Sequence, residues 1–327
     1  MSRFIFDNIE IFDEYFENKT PHDQFIKKNK FILDWDPNFT GYEIREYKHD
    51  YGILHNVFVN NDGVVITHDN KIMVNGACLC KKSNINNNGL HIYNENVITI
   101  TGMWSYGIWH FPFESLTALS VIPEKILYNS KIHVGVINNY IIQWCDMLGI
   151  KKEQLITGNI RCNKVYFPRM GMCGNPYYSQ ILWIKELIQS NQREISEDEH
   201  DSLVILIKRN HTRTIINYSE LENEIIKFSH KNEYNFYIHD DSCLPSLKEQ
   251  QQIFSKAKYV FAPHGAGGIH LPALKNDCSY IEFLNEDNRN ICYARLAYFL
   301  DISYYGITIS NNKIDIERLN KLFNEIV

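Results

Sequence analysis

Three short stretches of the chain hold side chains of types that do chemistry. The first is Tyr259-Val260-Phe261-Ala262-Pro263-His264-Gly265-Ala266-Gly267-Gly268-Ile269-His270. An apolar run ends at a proline, a glycine-rich turn follows, and apolar residues suited to a helix come next. Gly265, Gly267 and Gly268 allow a backbone to come close to a ligand, and a helix start offers unpaired N–H groups to an anion such as a pyrophosphate. The same spacing also suits a tight strand-to-helix turn that binds nothing. His264 and His270 have no third metal ligand in view, so the segment is not read as a metal site.

The second stretch is Leu206-Ile207-Lys208-Arg209-Asn210, followed by Arg213 and Asn217. Arg209 directly follows an apolar strand, where its planar fork suits phosphate oxygens; an ordinary basic loop is the other reading. The third is His110 and Glu114, four residues apart near the start of a helix predicted from about Pro112, and hence on one face. A carboxylate there can take a proton from an attacking hydroxyl, or can simply favour the helix start.

These groups need elements to hold them. In the first half, Ile53–Val59 and Val64–Thr67 flank Asn60-Asn61-Asp62-Gly63 and predict a hairpin. Lys71–Leu79 continues the β pattern, Lys131–Ile137 reads as a strand and Tyr140–Leu148 as a helix. From about Asn175 strands and helices alternate. Tyr178–Ser190 carries a helical apolar stripe, while Leu203–Ile207, Asn235–Ile238, Tyr259–Ala262 and Tyr280–Phe283 are short apolar strands. Ser219-Glu220-Leu221-Glu222 and Ser246-Leu247-Lys248-Glu249 read as capping boxes that open helices. Such alternation predicts a parallel sheet covered on both faces, with ligands beyond the carboxyl ends of its strands.

The 327 residues suit two α/β domains, and 44% hydrophobic with 22% charged residues is a globular composition. A net charge of −6 argues against a general nucleic-acid partner. The 8 cysteines include no Cys-x-x-Cys pair, and Cys78 and Cys80 read as buried thiols. No signal core or membrane-length apolar run is found, so a cytoplasmic location is expected. Asp34-Trp35-Asp36 after Phe31-Ile32-Leu33 is similar to a manganese-binding Asp-x-Asp, but too little chain precedes it to build that type of nucleotide domain.

Taken in order, the three stretches resemble glycosyltransferase family 61. The similarity lies in His110-x-x-x-Glu114 with Ser115-Leu116, in Arg209 with Arg213 and Asn217, and in Ser246-Leu247-Lys248-Glu249-Gln250-Gln251-Gln252-Ile253-Phe254. It continues through Ala257, Pro263-His264-Gly265-Ala266-Gly267 and Ile281-Glu282. It spans roughly Trp104 to Phe283. Two positions depart from the usual pattern: Glu114 stands where aspartate is more common, and Gly268-Ile269-His270 where an Asn-containing stretch is common.

The resemblance implies an α/β protein of GT-B architecture, two Rossmann-like domains facing across a cleft. The expected division is an acceptor-side domain over 1–174, a nucleotide-sugar domain over 175–310, and a C-terminal helix over 311–327 that packs back on the N-terminal domain. The implied reaction is inverting, needs no metal or other cofactor, and moves a sugar from a nucleotide sugar, UDP being favoured, to a hydroxyl of a glycan or glycoprotein. Glu114 is then the base, with His110 beside it. Arg209, Arg213, Asn217, His264, Gly265, Ala266, Gly267 and Gly268 hold the donor, and Glu282 the ribose hydroxyls. The alternative is a binding protein of the same fold that has lost catalysis.

Overall fold

The computed structural model describes residues 15–19, 31–33, 43–47, 51–68, 72–74, 90–171, 173–174, 176–192, 202–287 and 290–327. Cys78, Cys80, Asp34, Trp35 and Asp36 lie outside them. The chain forms two units, one built on Ile44–Leu187 and one on Ile188–Val327. Of three short leading strands, β1 (Tyr15–Lys19) pairs with β3 (Glu43–Tyr47), while β2 (Phe31–Leu33) adds to the sheet of the second unit.

The first unit holds a mixed seven-stranded sheet in the order β6-β5-β4-β10-β7-β8-β9. Its strands are β4 (Tyr51–Val59), β5 (Val64–Ile66), β6 (Ile72–Val74), β7 (His91–Thr99), β8 (Lys131–His133), β9 (Leu155–Ile156) and β10 (Ile160–Pro168). β10 runs antiparallel to β4 and parallel to β7. Val57, Val59, Val97, Ile160, Cys162 and Val165 close a core against this sheet. The expected hairpin is β4–β5, with Val59 opposite Val65. Asn60 Oδ1 accepts from the N–H groups of Asp62 (3.0 Å) and Val64 (2.8 Å), which is how a short polar side chain shapes a turn. Its helices are α1 (Glu124–Leu127), α2 (Asn139–Asp146) and most of α3 (Tyr178–Gln192), within which the boundary between the units falls.

The segment after His110 is helical but not α-helical. Phe111–Ser115 is a π-helical turn and Leu116–Val121 a 3-10 turn. Pro112 has no N–H to give, so the i to i−4 ladder cannot start at that position, and the Leu116 N–H reaches back five residues to the Phe111 carbonyl.

The second unit contains a fully parallel six-stranded sheet in the order β12-β11-β13-β14-β15-β2. Its own strands are β11 (Leu203–Lys208), β12 (Asn235–Asp240), β13 (Ala257–Pro263), β14 (Ser279–Asn285) and β15 (Ser303–Ile309). α4 (Tyr218–Lys231), α5 (Leu247–Ser255), α6 (Cys292–Leu300) and α7 (Ile316–Ile326) accompany it. The unbroken apolar run of β11 suits a strand buried on both faces, and Val204 and Leu206 join a core with Ile225, Phe228, Phe261 and Ile281.

The C-terminal helix α7 sets Leu319 and Leu322 into the core of the second unit, and Phe323 stacks on Phe228 at 4.4 Å. One expectation needs correction here: the capping box foreseen at Ser219 does not form. α4 starts at Tyr218 behind Asn217, whose side chain is engaged elsewhere. The box at Ser246 and Glu249 does form and opens α5.

Among the described residues, no helix is long and apolar enough to cross a membrane.

Candidate active site

In the first unit, His110 and Glu114 meet across the π-helical turn. Glu114 is buried, and its carboxylate is held by three donors. Oε1 accepts from Trp109 Nε1 at 3.1 Å and from the Gly174 N–H at 2.8 Å; Oε2 faces His110 Nδ1 at 2.8 Å. The Gly171 N–H also reaches the Glu114 carbonyl at 2.9 Å, so the turn after β10 clasps this residue twice. The reading of Glu114 as a solvated helix-start acid is therefore set aside. A carboxylate has about four lone-pair positions, and three donors leave one free on Oε2.

Burial by itself lowers the His110 pKa, but its hydrogen bonds to Cys173 and Glu114 and their charge outweigh that and hold it up to about 9. A pKa raised in the folded state stabilises the fold fully below the ordinary value of 6.5, and this contribution is lost as pH rises through about 9. The unfolding temperature of the wild type should therefore fall relative to that of His110→Gln between those two pH values. Parallel curves would remove the pair from the stability of the fold.

An ordered turn displays aromatic rings next to this pair. Trp104 stacks on His110 with centroids 6.2 Å apart, and Tyr106 lies 6.1 Å from Trp104. Both rings are exposed, at 43% and 54%. The turn is pinned by the Gly107 N–H on the Trp104 carbonyl and by Tyr140 Oη on the Ile108 carbonyl.

In the second unit, the arginines meet the glycine turn. Arg209 leaves the carboxyl end of β11 and donates from Nε and one terminal nitrogen to the carbonyl and hydroxyl of Thr212, both at 2.9 Å. Its other terminal nitrogen donates to the His264 carbonyl at 3.2 Å. Arg213, whose φ is +57°, donates to the same carbonyl at 3.3 Å. Two guanidinium groups thus converge on the peptide that opens the turn, each with N–H groups to spare. Burial, and next the neighbouring Arg213, lower the Arg209 pKa.

The turn continues as the helix expected, of the 3-10 type, over Ala266–Ala273 with Pro272 inside it. Its first internal bond is from the Gly268 N–H to the Gly265 carbonyl, so the N–H groups of Ala266 and Gly267 come before the hydrogen-bonded ladder. The glycines divide their tasks differently from the sequence reading. A Cβ on Gly267 would meet Ile207 at 2.6 Å, and one on Gly268 would meet the Tyr293 ring at 2.4 Å. Those two permit protein packing; Gly265 is the one that lies against Arg209.

Glu282 is also placed differently. It sits in the middle of β14 with no exposed surface, bonded to His264 Nδ1 and to Tyr304 Oη, both at 2.5 Å. It holds the His264 ring and cannot offer an oxygen to a ribose. Burial, then the Glu282 charge, push the Tyr304 hydroxyl well above its ordinary range, which keeps it a donor. Asn217 likewise serves the fold: its side chain bonds both the carbonyl and the N–H of Ile314, each at 2.9 Å. His270 belongs to the core, bonded to Gln250 at 2.9 Å and packed on Phe254.

A cavity of about 190 Å³ opens beyond the carboxyl ends of β13, β14 and β15, lined among others by Arg213, His264, Phe283, Asn285 and Ile309. This is the edge at which parallel sheets bind ligands.

Sequence spacing could not have found Gly174, Cys173 or Tyr304. Gly174 reaches Glu114 across 60 residues, and Tyr304 reaches Glu282 across 22 through the parallel pairing of β14 with β15.

The family model described as Glycosyltransferase 61 matches residues 108–281, more than half of the chain, and its span takes in both clusters. The chain belongs to glycosyltransferase family 61. It is therefore a glycosyltransferase, acting on a sugar donor and an acceptor. No curated protein in the comparison matches it.

Proposed function

We propose that this glycosyltransferase transfers a sugar from a nucleoside-diphosphate sugar, with UDP the favoured carrier, to a hydroxyl of a glycan or glycoprotein acceptor. Transfer proceeds with inversion and without a catalytic metal, on a GT-B arrangement in which the first unit handles the acceptor and the second the donor. The observation that carries the reading is the convergence of Arg209 and Arg213 on the first peptide of the glycine turn, beside the cavity at the carboxyl edge of the sheet.

In this mechanism the acceptor hydroxyl attacks the anomeric carbon and its proton passes to the free lone pair of Glu114 Oε2. As the new C–O bond forms, the bond from the sugar to the diphosphate breaks and its electron pair stays on the phosphate oxygen. The negative charge growing there is stabilised by Arg209, Arg213 and the N–H groups of Ala266 and Gly267, donors fixed in place before the reaction begins. His264, oriented by Glu282, lies beside the same cavity. Trp104 and Tyr106 offer the flat apolar surface on which a sugar ring stacks, next to the base.

Arg209→Ala should weaken nucleotide-sugar binding by about 10- to 100-fold, the usual effect of losing a hydrogen bond to a charged group. A panel of nucleotide sugars screened by thermal stabilisation identifies the donor, since ligand at 100 times its dissociation constant adds about 2.7 kcal/mol. Unchanged affinity in the variant would take Arg209 out of the donor site. Release of nucleoside diphosphate that depends on an acceptor separates an active transferase from a binding protein of the same fold.

A further inference from the structure

We infer that His110, Glu114 and Cys173 form a binding site for a zinc-type divalent cation, and that a cation held there shuts off sugar transfer. The binding half of this inference stands on geometry alone; the inhibitory half rests on the reading of Glu114 as the base.

The site is assembled from two segments. His110 and Glu114 come from the π-helical turn, and Cys173 from the turn after β10. One donor atom from each, a ring nitrogen, a carboxylate oxygen and a thiol sulfur, lies within 4.8 Å of the other two. A tetrahedral zinc bound at ~2.0–2.3 Å sets its ligand atoms roughly 3.3–3.6 Å apart. His110 Nδ1 and Glu114 Oε2, at 2.8 Å, need only a small spreading, and Cys173 a small approach. Cys173 is exposed, so solvent cations reach the site from its side.

The donor set selects the metal. One nitrogen, one oxygen and one sulfur suit a borderline-soft ion such as zinc, whereas magnesium, calcium and manganese favour oxygen alone. Three protein ligands also leave a fourth position for water, as in exchangeable rather than closed structural sites. An outer shell is already in place. Trp109 and Gly174 hold Oε1, which leaves Oε2 facing the imidazole.

Binding displaces the protons of His110 Nδ1 and of the thiol and sets the cation on Oε2, whose charge it neutralises, so that the carboxylate loses its basicity and the acceptor hydroxyl its place beside it. The acceptor proton then has no base to go to. The metal is thus an inhibitor at this position, and transfer itself needs none.

The test titrates cobalt(II), a spectroscopic stand-in for zinc, into the purified chain. Expected are one ion per chain, a near-ultraviolet thiolate-to-cobalt absorption band, and its loss on adding zinc. Cys173→Ser should lose the band and bind zinc on the order of 100-fold more weakly. Cys243→Ser, which changes the other exposed cysteine among the described residues, should keep both. His110→Gln gives a second reading from a different ligand and should also weaken zinc binding. No stoichiometric binding, a band that survives Cys173→Ser, or one lost in Cys243→Ser would overturn the site. In transfer assays, zinc should inhibit the wild type and should no longer inhibit Cys173→Ser, whatever that variant's own rate. Stoichiometric binding with undiminished transfer would overturn the inhibition, and with it the role of Glu114, while leaving the site in place.

Discussion

Glu114→Gln abolishes sugar transfer while leaving the fold and nucleotide affinity intact. The expected fall in kcat is on the order of 10²- to 10⁴-fold, the range contributed by a positioned general base. Glutamine is a clean substitution here because the pocket can accommodate it. Its carbonyl oxygen can take the place of Oε1 and accept from Trp109 and Gly174, and its amide can donate to a neutral His110 at the position of Oε2. Shape and most hydrogen bonds persist, but the lone pair that would receive the acceptor proton is gone. The variant should therefore stay folded but be less stable than the wild type below about pH 9, where the charged His110 loses its carboxylate partner. It should bind nucleotide sugar with unchanged affinity, because the groups proposed to hold the donor lie in the other unit. Turnover at the wild-type rate, measured as acceptor-dependent release of nucleoside diphosphate, would end the assignment of Glu114 as base. Glutamate in place of the more usual aspartate is compatible with the role, since the π-helical turn and the Trp109 and Gly174 donors fix where its longer side chain ends.

What could be read from the sequence was whatever rests on local pattern. β11, β12, β13 and β14 announce themselves as short apolar runs, and their regular alternation with helices predicts the parallel sheet that they form. The Ser246 capping box was legible because both of its members lie within one helical turn. β7 and β15 were not. His91–Thr99 is interrupted by Asn94, Glu95 and Asn96, and Ser303–Ile309 mixes two tyrosines with a glycine, so neither shows a clean period. The mixed sheet of the first unit depends on register between strands about a hundred residues apart, such as β4 and β10, which no local window contains. In the site, the types and order of His110, Glu114, Arg209 and the glycine turn were legible. The tasks of Glu282 and Asn217 were not, because a carboxylate or an amide on a strand or helix end looks the same whether it faces a ligand or the backbone of Ile314.

That distinction is sharpest at Gly265. Gly265→Ala should disable the donor site more thoroughly than loss of the arginine itself. Its backbone sits at φ +152° and ψ −162°, a region essentially confined to glycine, so an alanine there carries roughly 1–3 kcal/mol of strain before any contact is counted. The added methyl would also fall 1.3 Å from a terminal nitrogen of Arg209 and 2.6 Å from its central carbon. One of two things must then happen. Arg209 swings away and gives up its bonds to Thr212 and His264, or the turn shifts and carries the Ala266 and Gly267 N–H groups with it. Both outcomes break the alignment of cation and turn, so nucleotide-sugar binding should fall at least as far as in Arg209→Ala, along with the unfolding temperature. Gly267→Ala is the comparison: the atoms nearest its methyl belong to the Ile207 side chain, so it should lower stability with a smaller effect on binding. The steric account makes a further demand. Adding Arg209→Ala to Gly265→Ala removes the clashing group, so the double variant should be more stable than the sum of the two single changes allows, the mark of residues in direct contact. Strict additivity of the unfolding free energies would show that Gly265 is required for its backbone angles alone, and that its contact with Arg209 does not shape the donor site.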